Sequence, residues 1–419
     1  MRHPVALALF LSSLLTTGAA QSDDARFKDL LQSAGMGKAN AFIEADYDRF
    51  VRELITLTEI PAPPFKEVVR AKAFSGMLRE AGLSEIEVDE EGNVLGIRKG
   101  RGRGLIAVVA HLDTVFPEGT DVKVKRDGTK LLAPGVSDDS RGLAVMLAAV
   151  RAINGAGIHT DADLLFVGGV GEEGEGDLRG VRYLFDKGKH KDKITAFLGI
   201  DGPDPGRLVN GALGSKRYRV TFKGPGGHSY NAFGLVSPAF AMADAIHRLG
   251  ALKVPPKTTF NVGVVSGGTS VNSIPVEMSM DVDLRSESRA ELDRVSLAFA
   301  TMVRDAVEAE NKTRSTAQGR LTAEVMLIGD RPSGETSIES PFIQRVTAAM
   351  KAFGIKPNYE FQSTDANIAM SREIPAAVVG HGGISGRHHS LDEWTDVEKT
   401  SSVKGAQFIL ATIVSLATN

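Results

Sequence analysis

Leu105-Ile106-Ala107-Val108-Val109-Ala110-His111-Leu112-Asp113 is the stretch that decides the fold. Six apolar residues run without alternation and end on a histidine and an aspartate. An unalternating run of this length fits a strand covered on both faces, as in a parallel sheet flanked by helices. Residues 164–170, 196–200 and 376–379 read the same way, and each run is followed by possible ligands: Glu172 and Glu173, then Asp201, then the loop from His381 to His389. In open α/β sheets the ligand crevice lies outside the carboxyl ends of the strands. Four strand exits are therefore expected to converge on one place.

Around this nucleus, residues 24–58 read as helical up to the stop at Ile60-Pro61-Ala62-Pro63-Pro64, and 66–82 as a second helix. Short strands are expected at 86–88 and 94–98, and a helix at 140–153 with Asp138 and Asp139 at its entry. Residues 215–330 change texture. Alternating runs at 217–222, 259–265 and 276–284, helical patterns at 238–249 and 290–308, and a strand-like run at 321–328 give the order βαββαβ. That order predicts a two-layer α+β module with an antiparallel sheet, inserted into the larger domain. The expected division is 24–212 with 331–419 as one discontinuous domain and 213–330 as the insert, with 341–353 as a helix of the returning segment.

The 419 residues are 42% hydrophobic and 24% charged, which excludes a disordered, collagenous or multi-span membrane protein. Lysine and arginine number 49 against 52 aspartates and glutamates, for a net charge of −3. A nucleic acid or an anionic membrane as main partner needs a basic excess that is missing. There is no cysteine, so any metal site must be built from His, Asp and Glu. Arg2 and His3 precede an uncharged apolar stretch that ends in Gly18-Ala19-Ala20. This predicts a signal peptide over residues 1–20, cleaved near Ala20, and export to a periplasm or the medium; the stretch is short for a stable membrane anchor.

Each motif admits a bland reading beside a chemical one. His111 and Asp113 stand two apart and share a side of an extended strand, so the carboxylate can orient a metal-binding imidazole; the alternative is a buried histidine satisfied by a neighbouring acid. In Gly135-Val136-Ser137-Asp138-Asp139-Ser140 one carboxylate can bridge two cations, or simply cap a helix. In Gly171-Glu172-Glu173-Gly174 the adjacent glutamates point apart, one toward a metal and the other toward water, unless the loop is only solvated. Asp201 is either a ligand or a loop cap, and one of the pair His388-His389 is the expected last ligand. Taken together, these N and O donors suit two divalent ions about 3.5–4 Å apart that share a carboxylate and clamp a hydroxide.

At these residues the sequence resembles the dizinc metallopeptidases that include peptidase T, glutamate carboxypeptidase, aminoacylase and the acetylornithine and succinyl-diaminopimelate deacylases. The likeness covers nearly all of the mature chain and, in the Asp138-Asp139 segment, is nearest to peptidase T. It implies a phosphorylase/hydrolase-like α/β domain with an inserted lid, two divalent ions (zinc, with cobalt or manganese as alternatives), and a short-peptide exopeptidase working through a metal-bound hydroxide. An N-acyl amino-acid deacylase or glutamate-type carboxypeptidase is the alternative. The resemblance further implies His111, Asp138, Glu173, Asp201 and His389 as metal ligands, Asp113 as support for His111, and Glu172 as general base. His228 would stabilise the oxyanion, in some members from a partner subunit, and Asn272 and Arg285 would contact the substrate. For Arg285, with Asp281 and Asp283, a solvated strand face is the alternative. A homodimer through the lid is a further expectation; His388 receives no role.

Overall fold

The computed structural model describes residues 23–418, so the expected export segment lies outside the described residues. The central sheet runs, by residue, 85–88, 94–98, 163–169, 105–111, 194–200, 376–379, 207–212 and 334–335, with Asn358–Gln362 also paired to Arg207–Ala212. Its four middle strands, Asp163–Gly169, Leu105–His111, Ile194–Ile200 and Ala376–Val379, are mutually parallel. These are the four unalternating runs of the sequence.

Their composition follows from burial on both sides. Ile106, Val108 and Ala110 join one core, while Leu105, Ala107 and Val109 join another across the sheet. The larger core is closed by the helices Ser140–Gly155, Pro341–Ala352 and Lys399–Ala417, the smaller by Arg179–Asp186 and Ala366–Met370. Helix Lys399–Ala417 is apolar enough to cross a bilayer, yet most of it is buried inside the protein. Register then places the chemistry: His111 pairs with Gly169, so Glu172 and Glu173 follow directly beyond the strand end beside it.

Gly214–Lys223, Thr258–Gly267, Glu277–Ser286 and Thr322–Arg331 form a separate antiparallel sheet in the order 258–267, 277–286, 214–223, 322–331. Helices Pro238–Gly250 and Arg289–Thr313 cover one face over a core that includes Val220, Phe222, Val282 and Leu284. The expected βαββαβ order holds, with the short pairs Gly227–His228 and Ser273–Ile274 added. On the uncovered face Arg217 pairs with Asp283 and Arg219 with Asp281 across the strands.

The N-terminal region departs from the single helix expected over 24–58. It forms three helices, Asp23–Gln32, Ala34–Ala45 and Tyr47–Thr58. Ser33 starts the second by accepting a hydrogen bond from the Met36 amide, which turns the chain where periodicity alone runs on. The helix expected at 66–82 is shorter, Val68–Glu80.

Glu398 caps the last helix, its carboxylate accepting from the amides of Thr400 (2.9 Å) and Ser401 (2.8 Å), and these bonds pull its pKa from 4.5 to about 2. A depressed carboxylate stabilises the fold above its unfolded pKa and loses that contribution as pH falls through the folded value. Glu398→Ala is accordingly expected to lower the denaturation midpoint at pH 7. Its gap from wild type should close as pH drops from 4.5 toward 2, measured by denaturant titration along a pH series.

Candidate metal centre and active-site cleft

His111 ends its strand buried, with Nδ1 3.0 Å from the backbone carbonyl of Asp113. A carbonyl only accepts, so Nδ1 donates and Nε2 faces outward, 2.9 Å from Oδ1 of Asp138. The carboxylate of Asp113 does something other than the orienting role expected of it. It lies 3.7 Å from Nδ1 and instead accepts the amides of Glu172 (3.0 Å) and Glu173 (2.8 Å). The carbonyl fixes the ring while the buried carboxylate pins the adjacent glutamate loop.

A second buried carboxylate shapes the next loop. Glu393 accepts from the amides of Gly135 (3.1 Å), Ser137 (2.8 Å) and Asp138 (3.0 Å). Burial and the nearby charge of Asp138 push Glu393 up to about 7. Asp139 makes no capping bond to its helix; it accepts the His111 amide at 3.1 Å, tying the helix start to the strand end. Burial holds Asp139 well above the ordinary carboxylate range. Asp138 thereby projects between two imidazoles, since Nε2 of His389 lies 3.2 Å from its Oδ2 and 2.9 Å from Oε1 of Glu173. Burial works against the charge of Asp138, but its bonds to His111 and His389 hold it well below the usual range. His389, bonded to Asp138 and Glu173, is pushed up to about 10.

Glu172 is buried, and burial together with Glu173 holds it well above 4.5 while Arg331 opposes the shift. Arg331 donates to Oε1 of Glu172 (3.3 Å), to its carbonyl (2.5 Å) and to Ser363 (3.0 Å). Asp201 follows its strand directly, 3.8 Å from Arg207.

Three groups of side chains bring one ligand atom each to within 4.8 Å of the others: His111, Asp138 and Asp201; Asp138, Glu173 and His389; and His111, Glu172 and Glu173. The first two share Asp138. All five expected ligands are thus brought together at the strand exits, and their N and O donors fit divalent cations. They border a cleft of about 460 Å³ into which Arg207, Arg217, Arg285 and Arg331 also face. Arg285 donates to Asp283 at 2.6 Å, and Arg217 donates both to Asp283 and to the carbonyl of Gly174. The period-two acidic and basic face of the insert therefore divides: Arg217 and Arg285 border the cleft, while Arg219 and Asp281 pair outside it.

His228 and Asn272 are not among the residues bordering the cleft. Both are exposed on the insert, where Nδ1 of His228 accepts from the Tyr230 amide and the carbonyl of Asn272 accepts the Ser229 amide. Sequence reading missed Arg207, Arg217, Arg331 and Asp365, and it gave Glu393 no role. Asp365 is buried near the ligands and driven up to about 7 by burial, against His111. Only charge beside an apolar strand signals Arg207; Arg331 and Asp365 carry no local signal, because the charged groups they face, Glu172 and His111, lie more than a hundred residues away.

Residues 107–415 match peptidase family M20/M25/M40. The chain belongs to this family. The Bacillus subtilis protein YqjE, described as uncharacterized, is 25% identical over 395 residues, covering 88% of this chain and 98% of its own. The crystal structure of aminopeptidase PepT from Bacillus cereus is similar with a TM-score of 0.72 at 21% identity, over 89% of this chain and 99% of that one. Bacillus subtilis YxeP, described as a dinuclear metal-binding peptidase from the M20 family, is similar with a TM-score of 0.65 at 19% identity, over 89% and 99% of the two chains. At such identities the structural likeness is one of fold. Family membership makes the protein a metal-dependent peptidase or amidohydrolase, with the carboxylate and imidazole groups above as candidate ligands of a dinuclear centre.

The two hydrogen bonds accepted by Asp113 yield a test. In Asp113→Asn a carboxamide sets an NH₂ group against one of two amides that need an acceptor, loosening both glutamates. Supporting residues of this kind are typically worth 10- to 100-fold in metal affinity or activity. Such a loss is expected in chelator-competition and turnover assays, and unchanged values would remove Asp113 from the positioning role.

Proposed function

We propose that this M20-family hydrolase is a two-metal exopeptidase acting on short peptides in the manner of a tripeptide aminopeptidase. The observation that carries the reading is the pair of ligand groups joined through Asp138, set beside a buried Glu172 in a cleft bordered by arginines. A cleft of about 460 Å³ suits a substrate of a few residues. The protein shares its fold, over nearly all of both chains, with one described as an aminopeptidase, and this reading carries that activity over.

In this reading His111, Asp138 and Asp201 hold one ion and Asp138, Glu173 and His389 the other, with zinc expected and cobalt or manganese compatible with the donors. Bound divalent ions supply Lewis acidity and lower the pKa of a bound water toward about 7. The protein's own part is proton transfer and positioning. Glu172, kept basic by burial and held by Arg331, takes a proton from the attacking water and returns it to the leaving amine. General acid–base catalysis of this kind contributes roughly 10²- to 10⁴-fold. Arg285, with Arg217 beside it, binds the carboxylate of the substrate. His228 and Asn272 act from a second copy docked through the insert, a role supported by their exposure and by the exposed apolar residues Val264, Val265, Met326 and Leu327 on its edge strands. Residues 1–20 direct export, and the mature enzyme works in a periplasm or outside the cell.

Four arginines around one cleft favour a second reading, an N-acyl amino-acid deacylase or glutamate-type carboxypeptidase, because they offer more positive charge than one terminal carboxylate needs. A panel of tripeptides with free amines and of N-acyl amino acids separates the two. Cleavage of the free-amine peptides is expected; cleavage of the N-acyl compounds alone would overturn the aminopeptidase reading in favour of the second. Glu172→Gln should retain both metal equivalents and lose at least roughly 10²-fold in kcat, whereas undiminished turnover would exclude Glu172 as the base.

A further inference from the structure

A buried chain of polar groups ends on the one histidine of the cleft that the ligand groups do not use. His381 is fully buried, and the amide of Gly383 points at its Nδ1 from 3.4 Å. An amide only donates, so Nδ1 of His381 accepts. Burial, with Arg141 adding to it, holds His381 well below 6.5, so the ring is neutral and its single proton sits on Nε2. That nitrogen lies 3.0 Å from Oγ of Ser137 and donates to it. The serine hydroxyl gives its own proton onward, and the acceptor is Nε2 of His388 at 3.1 Å. With Nε2 accepting, the proton of His388 is on Nδ1.

Nδ1 of His388 has no hydrogen-bond partner among the described residues, and His388 borders the cleft beside Asp138, Asp201 and Arg207. It belongs to none of the three ligand groups. Its Nε2 is occupied by Ser137, which disfavours that nitrogen as a further metal ligand. The chain therefore holds His388 in the cleft wall with its Nε2 engaged and its Nδ1 without a partner among the described residues, while His228 lies outside the cleft of its own chain.

We propose that His388 is a further catalytic residue, donating from Nδ1 to the carbonyl oxygen of the scissile bond as negative charge develops there, with Ser137 and His381 as positioning residues that fix its tautomer. This rests on the hydrolase reading of the same cleft. A neutral donor aimed at a developing oxyanion lowers the barrier without a proton being transferred, and removing one such donor typically costs 10²- to 10³-fold in kcat.

Two measurements test it. Nitrogen NMR of the ¹⁵N-histidine-labelled, metal-free protein should show His388 protonated on Nδ1, and Ser137→Ala should mix in the other tautomer; an Nε2-protonated ring in the wild type would overturn the proposal. With the metal-loaded enzyme and a peptide it cleaves, His388→Ala should lower kcat by roughly 10²- to 10³-fold with metal content and KM kept. His388→Asn, whose amide reaches the Nδ1 position, should restore much of the loss, and His388→Gln, which reaches the Nε2 position, should not. An unaltered kcat in His388→Ala, or a raised KM at constant kcat, overturns the role. Because the spectrum is read without substrate, failure of this donor is distinguishable from failure of the peptidase reading, which shows as a wild type that cleaves nothing in the panel.

Discussion

Crowding of negative charge at the strand exits is the constraint on which the rest of the structure depends. Asp113, Asp138, Asp139, Glu172, Glu173 and Asp201 gather around a single buried imidazole, and most of them are buried themselves. Carboxylates taken out of water are costly unless hydrogen-bonded or paired. The protein meets part of that cost with backbone amides, two on Asp113, three on Glu393 and one on Asp139, and with the guanidinium of Arg331 on Glu172. The remainder attracts protons: His389 rises to about 10, and Glu172 and Asp139 are held well above their ordinary range. A site that draws protons this strongly is matched by divalent cations.

The same constraint explains why residues far apart in sequence converge. Three of the acids that face the cleft are aimed by others that do not: Asp113 holds the loop of Glu172 and Glu173, and Glu393 holds the Asp138 loop. Arg331 ends the last strand of the inserted sheet and grips Glu172, while Arg217 of the same sheet reaches the carbonyl of Gly174. The inserted sheet and the central-sheet region therefore meet on the loop that carries Glu172 and Glu173.

Much of this was legible in the chain. Parallel strands buried on both faces leave unalternating apolar runs, and all four central ones are visible, with His111, Glu173 and Asp201 at or just beyond three of them, His389 in the loop after the fourth and Asp138 at a helix start. The alternation in the insert likewise predicts its order of elements. What stayed hidden involves partners remote in sequence. Nothing around Asp113 says that its carboxylate serves amides some sixty residues on rather than the imidazole beside it. Arg331 and Asp365 have no motif, since their meaning comes from the return of the chain to the first domain. The break at Ser33 was missed because a capping serine costs the helical periodicity only one residue. His228 and Asn272 carry readable motifs, and the fold leaves both on the exposed surface of the insert, outside the cleft of their own chain.

Calorimetric metal titration of the wild type, Asp138→Asn and Asp201→Asn tests the central claim most directly. If the clustered carboxylates form two cation sites joined through Asp138, the wild type binds two equivalents per chain. Asp138→Asn then weakens both sites, and Asp201→Asn weakens one. A wild type that binds no divalent cation, or an Asp138→Asn variant with only one site impaired, would contradict the account.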